Sequence, residues 1–261
     1  MKKLKCPSCK SDVDPGQNHC PFCGWQFQDP DAVKTLLVDP AQRPKVPSNV
    51  DIAFGIDRTD SSNQFANGIP KIVAGILQPV ANKAQEVKCW LVSHGDLDEG
   101  QDIVMHTDGG PPEQALEDLK LIKFGGGGDP PEHHLDAVEF LLKNIPWTAD
   151  PTRSRGAIVA IVNADSKPAR SGITAAELGR ALKKTGILFY LICQPTPTLK
   201  ELVDNAEGLI FEISNNPDIE ELKQIAAQLA ASIVVTIGSG GTVPMSVVTN
   251  TPPKKTKKKG V

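Results

Sequence analysis

The sequence predicts an α/β domain: a mostly parallel β-sheet with helices on both faces, preceded by a small cysteine-bearing module. Three observations predict it. Segments such as AIVAIV and ILFYLIC are apolar without alternation, the mark of strands buried on both faces. Segments of helical period separate these strands, as a parallel sheet requires. Four of the six cysteines stand in the first 23 residues as two CxxC pairs, a spacing that belongs to a separate module.

With 261 residues, the chain has room for one domain of about 180–200 residues and a small module. Hydrophobic content is 39%, with 22 Gly and 22 Pro, so one ordered core flanked by long loops or tails is expected. No apolar run reaches the roughly 20 residues of a membrane span. MKKLKCPSCK is basic without an apolar segment behind it, unlike a secretory signal. The expectation is a soluble, intracellular (cytoplasmic) protein. The net charge of −3 is uneven: residues 1–28 carry +2 and residues 253–261 carry +5, leaving −10 for the body. That pattern argues against a simple nucleic-acid binder and gives the ends to anionic contacts or to solvation.

Residues 1–28 are read as one unit. CPSC, ten residues, then CPFCGW place Cys6, Cys9, Cys20 and Cys23 as four thiolates for a closed tetrahedral Zn2+ site. Clustered cysteines in an intracellular chain favour metal over disulfides, and so small a module draws most of its folding energy from the metal. The CPxC…CPxCG form resembles a short zinc ribbon. Residues 29–48 hold four prolines and read as a linker. Residues 49–237 hold the alternating elements. Strands are predicted at 51–56, 87–92, 102–106, 157–162, 187–193 and 208–213. Helices are predicted at 69–83, 112–121, 132–144, 174–184, 198–205 and 219–233. Cys89 and Cys193 sit in apolar runs and read as small core residues. Residues 238–261, rich in Gly, Thr, Pro and Lys, read as a disordered tail.

The first predicted strand, DIAFGI, ends in DRTDSS. Asp57, Thr59 and Ser61 at alternate positions have two readings: a helix N-cap, or hard oxygen ligands for a divalent cation. The cation reading gains weight from position, because a parallel sheet binds ligands at the carboxyl ends of its strands. Two further loops offer oxygen there: FGGGGDPPEHH with Asp129, and VNADSKP with Asn163 and Asp165.

From about residue 50 to 237 the chain resembles the von Willebrand factor A (VWA) family. IDRTDSS matches the DxSxS of the metal-ion-dependent adhesion site (MIDAS), with Thr59 for the first Ser. GGGGDPPE is close to a GGGDxPE variant, and the order of strands and helices agrees. The resemblance implies a Rossmann-like fold and Mg2+ or Mn2+ held by Asp57, Thr59 and Ser61, with one coordination position open for an Asp or Glu of a partner protein. Two positions depart from the family pattern. A second-loop Thr is replaced by Gly127 or Gly128, where Asp129 would substitute. The third-loop TDG or TDA is Val162, Asn163, Ala164, with a neutral Asn163 and with Asp165 two positions on.

The function implied is a non-enzymatic protein-binding adaptor with the zinc ribbon as a second docking module. Such intracellular proteins work beside AAA+ ATPases, kinases or phosphatases, an analogy of fold alone. The competing reading is a nucleic-acid-associated subunit that uses the ribbon and the Lys-rich end, with steep salt dependence. A third is a metal-dependent hydrolase using Asp129 and His133. His133 and His134 read as solvent-facing helix residues. Asp96, Asp98, Glu99 and Asp102 read as a solvated acidic loop, and His94 and His106 show no partner in the sequence.

Overall fold

The structure, a computed structural model, describes residues 4–5, 11–13, 49–62, 66, 68–127, 130–150 and 153–247. The chain divides into two compact units, Met1–Lys45 and Val46–Val261. In the first, β1 (Leu4–Lys5) pairs antiparallel with β2 (Asp12–Val13), and Lys5 forms an exposed ion pair with Asp12 at 2.8 Å. Cys6, Cys9, Cys20 and Cys23, the linker at 29–48 and the Lys-rich end lie outside the described residues.

The second unit runs β3 (Asn49–Asp57), α1 (Ile69–Ala81), β4 (Glu86–His94), β5 (Val104–Gly110), α2 (Pro112–Asp118), α3 (His134–Asn144) and β6 (Ser154–Ile161). It continues with α4 (Ala175–Thr185), β7 (Leu188–Cys193), α5 (Pro197–Ala206), β8 (Leu209–Glu212) and α6 (Ile219–Gly238). The six-stranded sheet has the order β5-β4-β3-β6-β7-β8. Within it, only β5 is antiparallel to its neighbour. The expected mostly parallel α/β architecture is therefore what forms.

Period two along β3 sorts its side chains between two cores. Ile52, Phe54 and Ile56 join a core with Ile72, Ile76, Leu229 and Ile233 of α1 and α6. Ala53 joins the opposite core with Leu135, Val138 and Leu141 of α3, Leu178 of α4 and Leu202 of α5. Helices thus cover both faces, as strands apolar on both sides demand.

Two boundaries differ most from the sequence reading. The strand expected at 102–106 is β5, which runs on to Gly110. It is an edge strand held by backbone pairing to β4, so its polar residues carry no apolar signal, and Asp108 accepts a 3.0 Å bond from Trp90 Nε1–H. The last helix extends to Gly238, and part of the segment expected to be disordered is bonded to it. The Met245 backbone N–H donates to Thr236 Oγ1 at 2.9 Å, and Ser232 Oγ donates to the Met245 carbonyl at 2.6 Å. Among the described residues, no helix is long and apolar enough to cross a membrane.

Helices α4 and α5 approach closely at Gly179. A Cβ there would lie 2.5 Å from the Leu202 carbonyl oxygen and 2.7 Å from Asn205 Cβ. Backbone cannot yield as a flexible side-chain end can, so Gly179→Ala is expected to cost about 1–3 kcal/mol by overpacking. Urea unfolding of the full chain measures it, and an unchanged midpoint would contradict this packing.

Candidate metal centre

The strand order brings the site together. From β3 the chain moves to β4 on one side and later to β6 on the other, so the order reverses above β3 and β6. In an open α/β sheet a crevice forms at that point, beyond the carboxyl ends of the strands. Asp57 ends β3, and Asn163 lies two residues beyond the end of β6.

Asp57 is fully buried. Its Oδ1 accepts from the Thr59 backbone N–H at 2.9 Å and from Thr59 Oγ1 at 2.8 Å, and its Oδ2 accepts from Ser62 Oγ at 2.8 Å. Thr59 Oγ1 lies 2.9 Å from Ser61 Oγ, which in turn lies 3.3 Å from Asn163 Oδ1. Four oxygens from two loops therefore form a chain. Thr59 and Ser61 supply only one proton each, and Thr59 spends its proton on Asp57, so the cluster has more acceptors than donors. The separations suit a hard ion: oxygens at 2.0–2.1 Å around octahedral Mg2+ are about 2.9 Å apart along each edge. Both readings of DRTDSS lead to a short helical turn, Asp60–Ser62, but the side chains of Asp57, Thr59 and Ser61 converge on one another.

The glycine-rich loop closes the other side. Asp60 N–H donates to the Gly126 carbonyl at 2.8 Å, and Gly125 N–H donates to the Arg58 carbonyl at 2.9 Å. Gly127 has φ +75°, and a Cβ on it would stand 2.7 Å from Thr59 Cγ2 and 3.2 Å from Glu132 Oε1. Glu132 is 1% exposed. Burial, then the charges of Asp57 and Asp96, push its carboxyl up to about 7. Its Oε2 has no hydrogen-bond partner among the described residues.

Two histidines lie behind the centre. His94 pairs with Asp57 in the sheet register, and His94 Nε2 lies 2.9 Å from His134 Nδ1. Burial, then His134, push His94 down to about 3, against the pull of Asp57. Burial also lowers His134, against Asp57 and Asp165. Both are neutral at pH 7.

Several expectations need correction here. His133 and His134 are buried, at 3% and 1% exposure, because α3 packs its first turn onto the sheet rather than presenting it to solvent. Asp96 is buried too. Lys167 Nζ reaches Asp96 Oδ2 at 2.7 Å and Asp98 Oδ2 at 3.2 Å, Arg170 reaches Asp98 at 3.1 Å, and His133 Nδ1 is 3.0 Å from Asp96 Oδ1. Asp96, Asp98 and His133 have the proximity of a ligand group, but two cations already match the two carboxylates, and the cluster ties three loops together. His106 Nε2 lies 2.7 Å from Ser93 Oγ, yet Ser93 is fully buried, out of a substrate's reach. Asp165 is turned to α5: its Oδ1 accepts from Thr196 Oγ1 at 2.6 Å and from Ser166 N–H at 2.9 Å. Asp129 lies outside the described residues. Sequence reasoning did not single out Ser62, Glu132 or Lys167. For Glu132 the visible signal is the Glu that closes GGGGDPPE. A cavity of about 600 Å³ beside Trp147, Arg155 and Lys184 lies at the opposite, amino end of the strands, away from this chemistry.

The sheet order and the helices on both faces give a mostly parallel α/β fold like that of VWA domains. The crystal structure of the SpRpn10 VWA domain is similar, with a TM-score of 0.53 at 14% identity, covering 75% of this chain and 98% of that one. At that identity the likeness concerns the fold. No protein-family model and no curated protein matches the sequence.

Without metal, Glu132 makes stability depend on pH. Below its ordinary value of 4.5 the carboxyl is protonated in both folded and unfolded chains. Between 4.5 and about 7 only the unfolded chain releases the proton, so this group's contribution falls as pH rises and levels off above about 7. In EDTA, wild type is expected to lose stability relative to Glu132→Gln across that window. Denaturant unfolding of both proteins at a series of pH values checks it.

Proposed function

We propose that this chain is a non-enzymatic protein-binding adaptor that holds a divalent cation, Mg2+ or Mn2+, at Asp57, Thr59 and Ser61. The observation that carries the reading is the acceptor-rich oxygen chain around the buried Asp57. Its spacing and its hard donors fit an ion that prefers oxygen. The VWA-type fold supports the same reading, since the cluster sits at the rim where the sheet order reverses. Asn163 adds a neutral oxygen at the edge of the set. When bound, the ion supplies a Lewis-acidic point of positive charge at which the Asp or Glu of a partner protein can bind. Cys6, Cys9, Cys20 and Cys23 would hold a structural Zn2+, and their module would serve as a second docking unit.

Calorimetric titration of the full chain with MnCl2 and MgCl2 tests the cation. An acidic peptide, titrated with Mn2+ present and again in EDTA, tests the partner chemistry. Asp57→Ala is expected to weaken Mn2+ binding at least about 10-fold and to abolish the cation-dependent part of peptide binding. Peptide binding that persists in EDTA and in Asp57→Ala would overturn the reading.

A further inference from the structure

We infer that Glu132 is a second carboxylate ligand of this cation site, supplied by the chain itself in the place of a hydroxyl from the glycine-rich loop. The inference rests on the cation reading above and concerns which residues complete the site.

The argument begins with space. A side chain at 127 is excluded, because its Cβ would stand 2.7 Å from Thr59 Cγ2 and 2.9 Å from Thr59 Cβ. Glu132 Oε1 lies only 3.2 Å from that same Cβ position. The carboxylate therefore borders the space beside the Thr59 side chain that a residue at 127 would have filled.

The second step is the state of the carboxylate. Glu132 is 1% exposed, and its Oε2 has no hydrogen-bond partner among the described residues. A buried, unsatisfied polar oxygen is costly and calls for an unseen partner, such as an ion or water. Of the charges acting on Glu132, that of Asp57 is the largest, and it is repulsive. Lys167, the cation that acts on it most strongly, is bonded to Asp96 and Asp98. A divalent ion between Asp57 and Glu132 would meet both carboxylates with matching charge.

The third step is rigidity. Glu132 N–H donates to the Asp165 carbonyl at 3.1 Å, and the Glu132 carbonyl accepts from Lys167 N–H at 2.7 Å. These two bonds join it to the loop after β6 in a parallel bridge with Ser166. The backbone beneath the carboxylate is thus fixed by the same loop that carries Asn163, and little entropy remains to be lost when a ligand is met.

The test uses the full chain and Mn2+. Free Mn2+ is counted by electron paramagnetic resonance during titration, and melting temperature is recorded in EDTA and with Mn2+. Glu132→Gln keeps the shape and removes the charge; Glu132→Asp keeps the charge and shortens the reach. Both variants are expected to bind Mn2+ at least about 10-fold more weakly than wild type. Mn2+ is expected to raise the melting temperature of wild type more than that of Glu132→Gln, a difference that a merely structural role would not produce. Wild-type Mn2+ affinity in both variants, with binding lost in Asp57→Ala, overturns this inference and leaves the cation reading standing. No Mn2+ binding by wild type overturns both.

Discussion

A fully buried carboxylate at the end of an apolar strand is the constraint around which this domain's upper edge is built. Removing such a charge from water costs several kcal/mol even after relaxation. Asp57 recovers part of that through three hydrogen bonds, from Thr59 N–H, Thr59 Oγ1 and Ser62 Oγ. Bonds to charged groups contribute about 1.5–3 kcal/mol each, so the two sides come close to balance. The donors all come from the next five residues, and the turn at Asp60–Ser62 is the shape the chain must take to deliver them. Burial of Asp57 thus dictates the path of the first loop.

The other loops follow from the first. The glycine-rich segment runs beside Arg58–Asp60 through backbone bonds from Asp60 to Gly126 and from Gly125 to Arg58, and it needs Gly127 because Thr59 leaves no room for a side chain there. Behind this layer the His94–His134 contact is polar but uncharged, so it adds no positive charge that would compete with a cation. Outside it, Lys167 and Arg170 bind Asp96 and Asp98. That cluster holds the rim together and neutralises nearby acid. Among the described residues, neither Asp57 nor Glu132 at the centre has such an ion pair.

Much of the fold was legible in the sequence, because its signals are local. Apolar runs such as AIVAIV, and the helical period of 174–184, survive any arrangement of neighbours. The segment at 107–110 was not legible as strand, since an edge strand is held by backbone bonds to β4 and its side chains need no pattern. Asp57, Thr59 and Ser61 were legible because alternate spacing within one loop already brings them together. Glu132 was not, because its role depends on Thr59, far away in the chain, and on the room left at Gly127. The burial of His133, His134 and Asp96 was hidden for the same reason: their partners lie across loops.

The sequence by itself determined the order of elements, the mostly parallel sheet and the first-loop oxygen cluster, because each rests on residues a few positions apart. Only the tertiary structure decided that Asp165 turns to Thr196 while Asn163 faces Ser61, and that Glu132 and Thr59 border the same space at Gly127, with a Glu132 oxygen that no described residue satisfies. Those choices depend on which loops meet above β3 and β6, and side-chain spacing along a chain carries no information about that meeting.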